Sequence, residues 1–404
     1  MATQVYGDGI NSTGGANNIT LYYNRAGIKA ANAVNIYQQF ADKQSMPKKN
    51  GKTFKISKWL HIYDRKTGDA DFATKGYLTA RTLEDVTASI AASALNEGAT
   101  GGNEVNIEKI TFDTQFTRVG NMLPYTDEVE LFSEDAIQVR CREELGALAN
   151  LKSEDMIQVD MLATPTVLRA GSATNMAGIG ATQADGSDDA VWRISYDLIR
   201  KADRLLTRNR AKKRTSIVVG SNKIGTAPVA KAHYAIIGAD VKADMENLTR
   251  GTGNETEFVF QPVHRYASAG NQAEGEVGFM HSVRFIESET ALTYAGKGAV
   301  PPQNYVGDLA ITGATDLTSA NPADRGNFDV HPILFPSEGA FATVGLKGMD
   351  NSGRGKIQFH SRSPSDIDSN NTYGTKGFFS YNFFYAGIIL EPEKLLKVLV
   401  AVSK

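Results

Sequence analysis

The 404-residue chain holds a single cysteine, Cys141, so no disulfide can close within it, which fits folding in a reducing compartment. It has no excess of either charge. With 43 Lys and Arg against 45 Asp and Glu, it lacks the whole-chain basic field of a dedicated nucleic-acid binder, although a local basic face remains open. No run comes near the roughly 18 apolar residues of a membrane helix. Met1 to Gly15 is polar and glycine-rich where a signal peptide would need an apolar core. No repeat with a period of about 20–50 residues is visible, which argues against a solenoid.

Recognisable chemistry is also scarce. The histidines are His61, His233, His264, His281, His331 and His360, and no two lie close enough to form a compact ligand pair such as H-E-x-x-H. His61 and His331 read as structural residues. Gly220-Ser221-Asn222-Lys223-Ile224-Gly225-Thr226 has the look of a phosphate loop, but Thr226 stands where the phosphate-binding lysine is needed. There is no G-x-S-x-G elbow, and no pair of carboxylates stands out as an acid–base couple. Cys141 falls on the apolar face of a helix, where a small hydrophobe is expected rather than a reactive thiol. The expectation is a protein with no catalytic, cofactor or metal residues, and not an enzyme.

What is present is a long helical pattern flanked by strands. From Thr126 to Thr164 an acidic start (Asp127, Glu128, Glu130, Glu134, Asp135) precedes Ile137, Cys141, Leu145, Leu148 and Ala149 at helical spacing, and Pro165 ends the run. Unbroken, this would be a helix of about 38 residues, roughly 57 Å long, with Thr126 as its cap. Gly146 and Ser153-Glu154-Asp155 are points at which it would kink or divide. Residues 1–18 have the composition of a flexible arm, and residues 20–41 read as an alanine-rich helix. Thr53–Tyr63 and Val105–Tyr125 alternate as the two strands of an extended arm around a long excursion with a short helix in its middle. Residues 1–18 and the extended segment 52–125 are expected to bury little in their own subunit and much against neighbours, because bare strand edges call for cover by another chain.

Further on, residues 190–209 read as one amphipathic helix capped at Ser187–Asp189. Its apolar face carries Val191, Ile194, Leu198, Ala202 and Leu205. Arg193, Arg200, Arg204 and Arg208 form one stripe, which Lys212, Lys213 and Arg214 extend. Such a stripe is a solvated face, a non-specific DNA contact, or a contact with the acidic cluster Asp127–Asp135 of a neighbouring copy. Strands are expected at Ser216–Val219, Tyr234–Ile237, Phe258–Tyr266 and Val277–Glu287, and a helix at Asp240–Leu248. The apolar tail reads as one strand over Phe379–Leu390, a turn at Glu391-Pro392-Glu393, and a last strand or short helix.

Four segments together resemble the major capsid proteins of tailed phages related to phage N4: Met46 to Ile56, Gln115 to Glu128, His233 to Asp244, and Glu274 to Ser288 with its run Gly278-Phe279-Met280-His281-Ser282-Val283-Arg284-Phe285. Gly238 departs from the pattern, where proline is expected, and the 64–106 insertion is long. The resemblance implies an α+β chain of the HK97-like capsid fold: an N-terminal arm (1–51), an extended loop (52–125), a peripheral domain with the spine helix (126–214), an axial domain (215–345) and a return to the peripheral domain (346–404). It implies a shell of hexamers and pentamers around the double-stranded DNA of a tailed phage, assembled in the bacterial cytoplasm without a membrane. Scaffolding, decoration and portal proteins would be partners, and Arg200, Arg204 and Arg208 would face packaged DNA. The tail's alternate aromatics would face the spine. A protein-cargo shell of the same fold and a hydrolase with dispersed site residues are the rival functions.

Overall fold

The computed structural model describes residues 35–47, 49–59, 82–95, 97, 107, 109–132, 137–214, 230–250, 257–258, 260–266, 273–346, 357–366 and 371–404. The arm at 1–18, the strand at Ser216–Val219, the loop at Gly220–Thr226, His61 and most of the 64–106 insertion lie outside them. The chain forms two compact units. The smaller contains Leu123–Ala147 and Ser361–Phe379; the larger contains Ala33–Met122, Leu148–His360 and Ser380–Lys404.

In chain order the first elements are β1 (Asp42–Met46), β2 (Thr53–Trp59), α1 (Leu83–Ala92), β3 (Lys109–Gln115), β4 (Thr117–Thr126), α2 (Asp127–Phe132) and α3 (Ile137–Leu162). Next come β5 (Val167–Arg169), α4 (Asp189–Trp192), α5 (Tyr196–Arg208), β6 (His233–Ile237), α6 (Ala239–Glu246), β7 (Thr249–Arg250), β8 (Glu257–Phe258) and β9 (Gln261–Pro262). The remainder are β10 (Glu276–Met280), β11 (Val283–Glu287), β12 (Ile311–Thr312), β13 (Asn327–Phe328), β14 (His331–Pro336), β15 (Phe341–Leu346), β16 (Gln358–Arg362), β17 (Lys376–Tyr385), β18 (Gly387–Ile389) and β19 (Leu395–Val400).

The larger unit is built on a seven-stranded mixed sheet in the order β5-β19-β14-β6-β11-β10-β9. Its strands come from three of the five divisions expected from sequence. β14 and β19 pair antiparallel over six residues each and are buried throughout. Both faces are covered, so the strands are apolar apart from His331 and Lys397, and the Lys397 ammonium donates to Leu162 O at 2.7 Å. On β19 the period of two is plain. Leu396, Val398 and Val400 join Leu198, Ile199, Ala202 and Leu206 of α5 and Val241 and Met245 of α6 in one core. Leu399 faces the other way, into a second core with Ile179, Trp192, Tyr305, Leu309 and Phe328. The loops at 170–190 and 290–330 thus have a core of their own. Gly180 marks its tightest point: at φ +147 a Cβ would lie 2.2 Å from the Phe328 ring.

Several sequence expectations change. The long helical pattern gives two described segments, α2 and α3, and the longer has 26 residues, or about 39 Å. Thr126 does not cap it but is the last residue of β4. α3 runs unbroken through Gly146 and Ser153-Glu154-Asp155, because Ser153 and Glu154 are buried with polar partners: Ser153 Oγ donates to Asn150 O, and Glu154 Oε2 accepts from Tyr37 N at 2.9 Å. In the 20–41 region the described residues Tyr37–Phe40 form a 3-10 turn that leads straight into β1, with Tyr37 and Phe40 buried. The 190–209 helix is two. The chain extends at Arg193, and Ser195, not Ser187–Asp189, caps α5 by accepting from Leu198 N at 3.2 Å. Phe258–Tyr266 is not one strand: Phe258 ends β8, Gln261–Pro262 form β9 and Val263–Arg265 form a 3-10 turn, and Val277–Glu287 is a hairpin, β10–β11, turning at His281 with φ 57. The tail strand breaks at Ala386, because β17 pairs with β16 and β4 whereas β18 pairs with β15.

β17 alternates strictly. Gly377, Phe379, Tyr381, Phe383 and Tyr385 are buried. Within the larger unit Tyr385 Oη donates to Asp160 of α3 at 2.7 Å. Within the smaller unit Arg142 of α3 lies 5.9 Å over the Phe379 ring, which stacks on Tyr125 at 5.4 Å. The smaller unit is tied by Asn371, a buried amide that donates to Pro364 O and Lys376 O and accepts from Thr375 N and Lys376 N.

Candidate assembly surfaces and basic helix face

β2 and β3 form an antiparallel ribbon from Thr53↔Gln115 to Trp59↔Lys109. Its inner face carries Phe54, Ile56 and Lys58 opposite Thr114, Phe112 and Ile110. Contrary to expectation, the base of the ribbon packs on its own unit. Phe54, Ile56 and Phe112 lie against Met46, Phe116, Ala342, Val344, Ala386 and Ile388, and Thr114 Oγ1 donates to Gly387 O at 2.9 Å. The apolar cover ends there. Trp59, Leu83, Ile90, Leu95 and Ile107 are exposed large hydrophobes around the far end of the ribbon and α1. In the smaller unit Leu131 and Phe132 of α2 are 73% and 85% exposed.

The break before α5 divides the basic stripe. Arg193 leaves it and pairs with Asp308 at 3.0 Å. Lys213 pairs with Asp203 at 3.6 Å. Arg214 is half-buried, donating to Phe40 O and Ser337 O, and burial lowers its affinity for its proton despite Asp42 nearby. These three hold the fold together. Arg200, Lys201, Arg204, Arg208 and Lys212 stay exposed on α5 and its exit. Arg200 also meets Asp197 at 3.5 Å and lies 5.7 Å over the Tyr196 ring, an aromatic neighbour the sequence reading did not assign to the stripe.

Beneath that stripe, on α5, sits Asp203. His233 Nε2 is 3.9 Å from its Oδ1 and His281 Nε2 is 3.6 Å from its Oδ2. Sequence spacing could not bring these residues together; the β6 start and the β10–β11 turn do. The His233 ring is 2% exposed, and neither ring nitrogen has a hydrogen-bond partner. Burial pushes its proton affinity down to about 4, which Asp203 partly offsets and Lys213 reinforces. Lys213 at Asp203 makes the spot unsuited to a cation, and no cluster of three or more His, Cys, Asp or Glu among the described residues could hold a metal ion. His264 is exposed in its 3-10 turn, and His331 is buried 3.8 Å from Asp240, its proton affinity lowered by burial. Cys141 is half-buried, and burial raises its thiol pKa.

A second buried group was not foreseen. Arg284 of β11, 1% exposed, has Nε 3.7 Å from Glu276 Oε1 and its guanidinium 5.6 Å over the Tyr266 ring. Glu276 also accepts from Tyr266 Oη at 2.7 Å and Ala273 N at 2.9 Å. A bulge in β10 between Glu276 and Gly278 turns the carboxylate inward. The set is internal, so it orders the fold.

No family model matches the chain. The protein described as the major capsid protein of Pseudomonas phage KPP21 is 24% identical over 396 residues, which cover 95% of this chain and 93% of that one. The capsid of Ralstonia phage GP4 matches with a TM-score of 0.52 at 9% identity, over 98% of this chain and 99% of that one. The capsid structure of cyanophage P-SCSP1u matches with a TM-score of 0.50 at 13% identity, over 98% and 97%. The likeness to these capsid structures gives the chain an HK97-like capsid fold, and its sequence is similar nearly end to end to that of a phage major capsid protein.

Proposed function

We propose that this chain is the major capsid protein of a tailed phage, closing as hexamers and pentamers into an icosahedral shell around double-stranded DNA in the bacterial cytoplasm. The observation that carries this is end-to-end similarity to a phage major capsid protein of nearly the same length. It favours a genome shell over a protein-cargo shell and an assembly role over catalysis. Kinship with the N4-related group rests on the four sequence segments. In this reading the ribbon is the extended loop, α3 is the spine of the peripheral domain, and the axial domain takes in the seven-stranded sheet, including β5 and β19 from outside 215–345. Exposed Leu131 and Phe132 suit the head-to-tail contacts that close rings of identical subunits. Negative-stain microscopy of the expressed protein should show closed particles; a chain that stays monomeric under every assembly condition would defeat the proposal.

The inner surface of such a shell meets phosphate at high density. Arg200, Arg204 and Arg208, exposed on one face of α5, offer weak, sequence-independent contact there. Changing all three to Glu should leave empty shells intact and lower retained DNA by about half or more, read by absorbance and gel analysis of purified particles. Failure to form empty shells would instead assign the stripe to a contact between subunits.

A further inference from the structure

The ribbon changes character at one residue. Along the inner face of β2, Phe54 and Ile56 are followed by Lys58, a charge where the alternation calls for another apolar side chain. Up to that point the inner face lies on its own unit. Lys58 Nζ sits 3.5 Å from Glu391 Oε2 and 3.4 Å from Glu393 Oε1. Both carboxylates belong to the turn around the 3-10 segment Pro392–Lys394, where Lys394 also pairs with Glu391.

That turn is held from two other elements of the same unit. At the end of α3, Thr164 Oγ1 donates to Leu395 O at 2.7 Å and Thr166 Oγ1 donates to Pro392 O at 2.7 Å. At the end of α5, Asn209 Nδ2 donates to Glu393 O at 2.7 Å. The two carboxylates are therefore presented from a rigid support, and Glu393 is 4% exposed. Apart from the Thr114–Gly387 hydrogen bond near the end of β3, the base rests on apolar contact, which is non-directional and leaves the end at Lys58 without a fixed position. A half-buried ammonium between two fixed carboxylates has one favourable position.

We propose that Lys58, Glu391 and Glu393 form a clamp that fixes where the ribbon leaves its own unit. The clamp holds the docked base and sets the direction of β2 and β3 at Trp59 and Lys109. The inference rests on the larger unit alone and does not need the shell reading to be correct.

Hydrogen exchange on the full-length chain tests it. Lys58→Met keeps the aliphatic stem and removes the charge. It should speed exchange of the β3 amides by about tenfold while β14 and β19 exchange at the parent rate. Lys58→Arg should keep β3 exchange within about twofold of the parent. Unchanged β3 exchange in Lys58→Met would overturn the clamp. So would a rise shared equally by β14 and β19, which would make the ion pair a general stabiliser, or equal acceleration in Lys58→Arg, which would take the charge out of the argument.

Discussion

Lowering the pH from about 7.5 to about 4 should cost the larger unit about 3 kcal/mol through one side chain, His233. Its proton affinity in the folded chain is held at about 4 against an ordinary 6.5, chiefly by burial. A depressed histidine resists protonation only while folded. Its contribution is therefore complete above about pH 6.5, is lost as the pH falls through the window from 6.5 to 4, and changes no further below that. The groups facing the ring are Asp203 of α5, Lys213 beyond it and, across Asp203, His281 of the β10–β11 turn. His331, also depressed by burial, adds to the loss in the same direction. Asp160, whose affinity is raised by burial, works against it at the acid end. Urea unfolding at both ends of the range measures the effect. His233→Gln, which cannot be protonated, should flatten most of the slope, and a parent-like slope in that variant would remove His233 as its source.

Glu276→Ala should be the most damaging single change in the β10–β11 region, costing about 3–5 kcal/mol. It leaves the Arg284 guanidinium buried without its carboxylate and strips Tyr266 Oη and Ala273 N of their acceptor. The double change Glu276→Leu with Arg284→Met removes both charges and should lose less than Glu276→Ala alone, because no buried ion is left behind. Denaturant midpoints of the three proteins decide it. A double variant that loses as much as Glu276→Ala, or more, would show that the pair does not act as a unit.

The strongest sequence signals were those in which local pattern and tertiary setting agree. The alternation within Thr53–Tyr63 and Val105–Tyr125 and the helical spacing after Ile137 marked elements that the folded chain contains, although the second stretch is two strands, β3 and β4, and not one. β14 and β19 carry apolar side chains on both faces, with only His331 and Lys397 as exceptions, and there periodicity stops distinguishing one side from the other. Helix boundaries were the weaker part. A serine at position 195 is an ordinary polar residue until the chain extends at Arg193 and frees the Leu198 amide for it. The basic stripe was legible as charge, but its division was not: Arg193, Lys213 and Arg214 are absorbed by Asp308, Asp203 and the carbonyls of Phe40 and Ser337, partners more than a hundred residues away in most cases.

By itself the sequence determined that this chain has no internal disulfide, no whole-chain basic field and no compact ligand motif. It also determined the ribbon, the long helix and the apolar tail as separate elements, because each is a matter of local composition or periodicity. Only the tertiary structure decided which charges are free. It brought His233 and His281 to Asp203, buried Arg284 against Glu276, and set Lys58 between Glu391 and Glu393. The reason is range. Hydrophobic period acts over a few residues and is written in the chain, whereas an ion pair acts over a few ångströms and depends on which distant segments the sheet order places side by side.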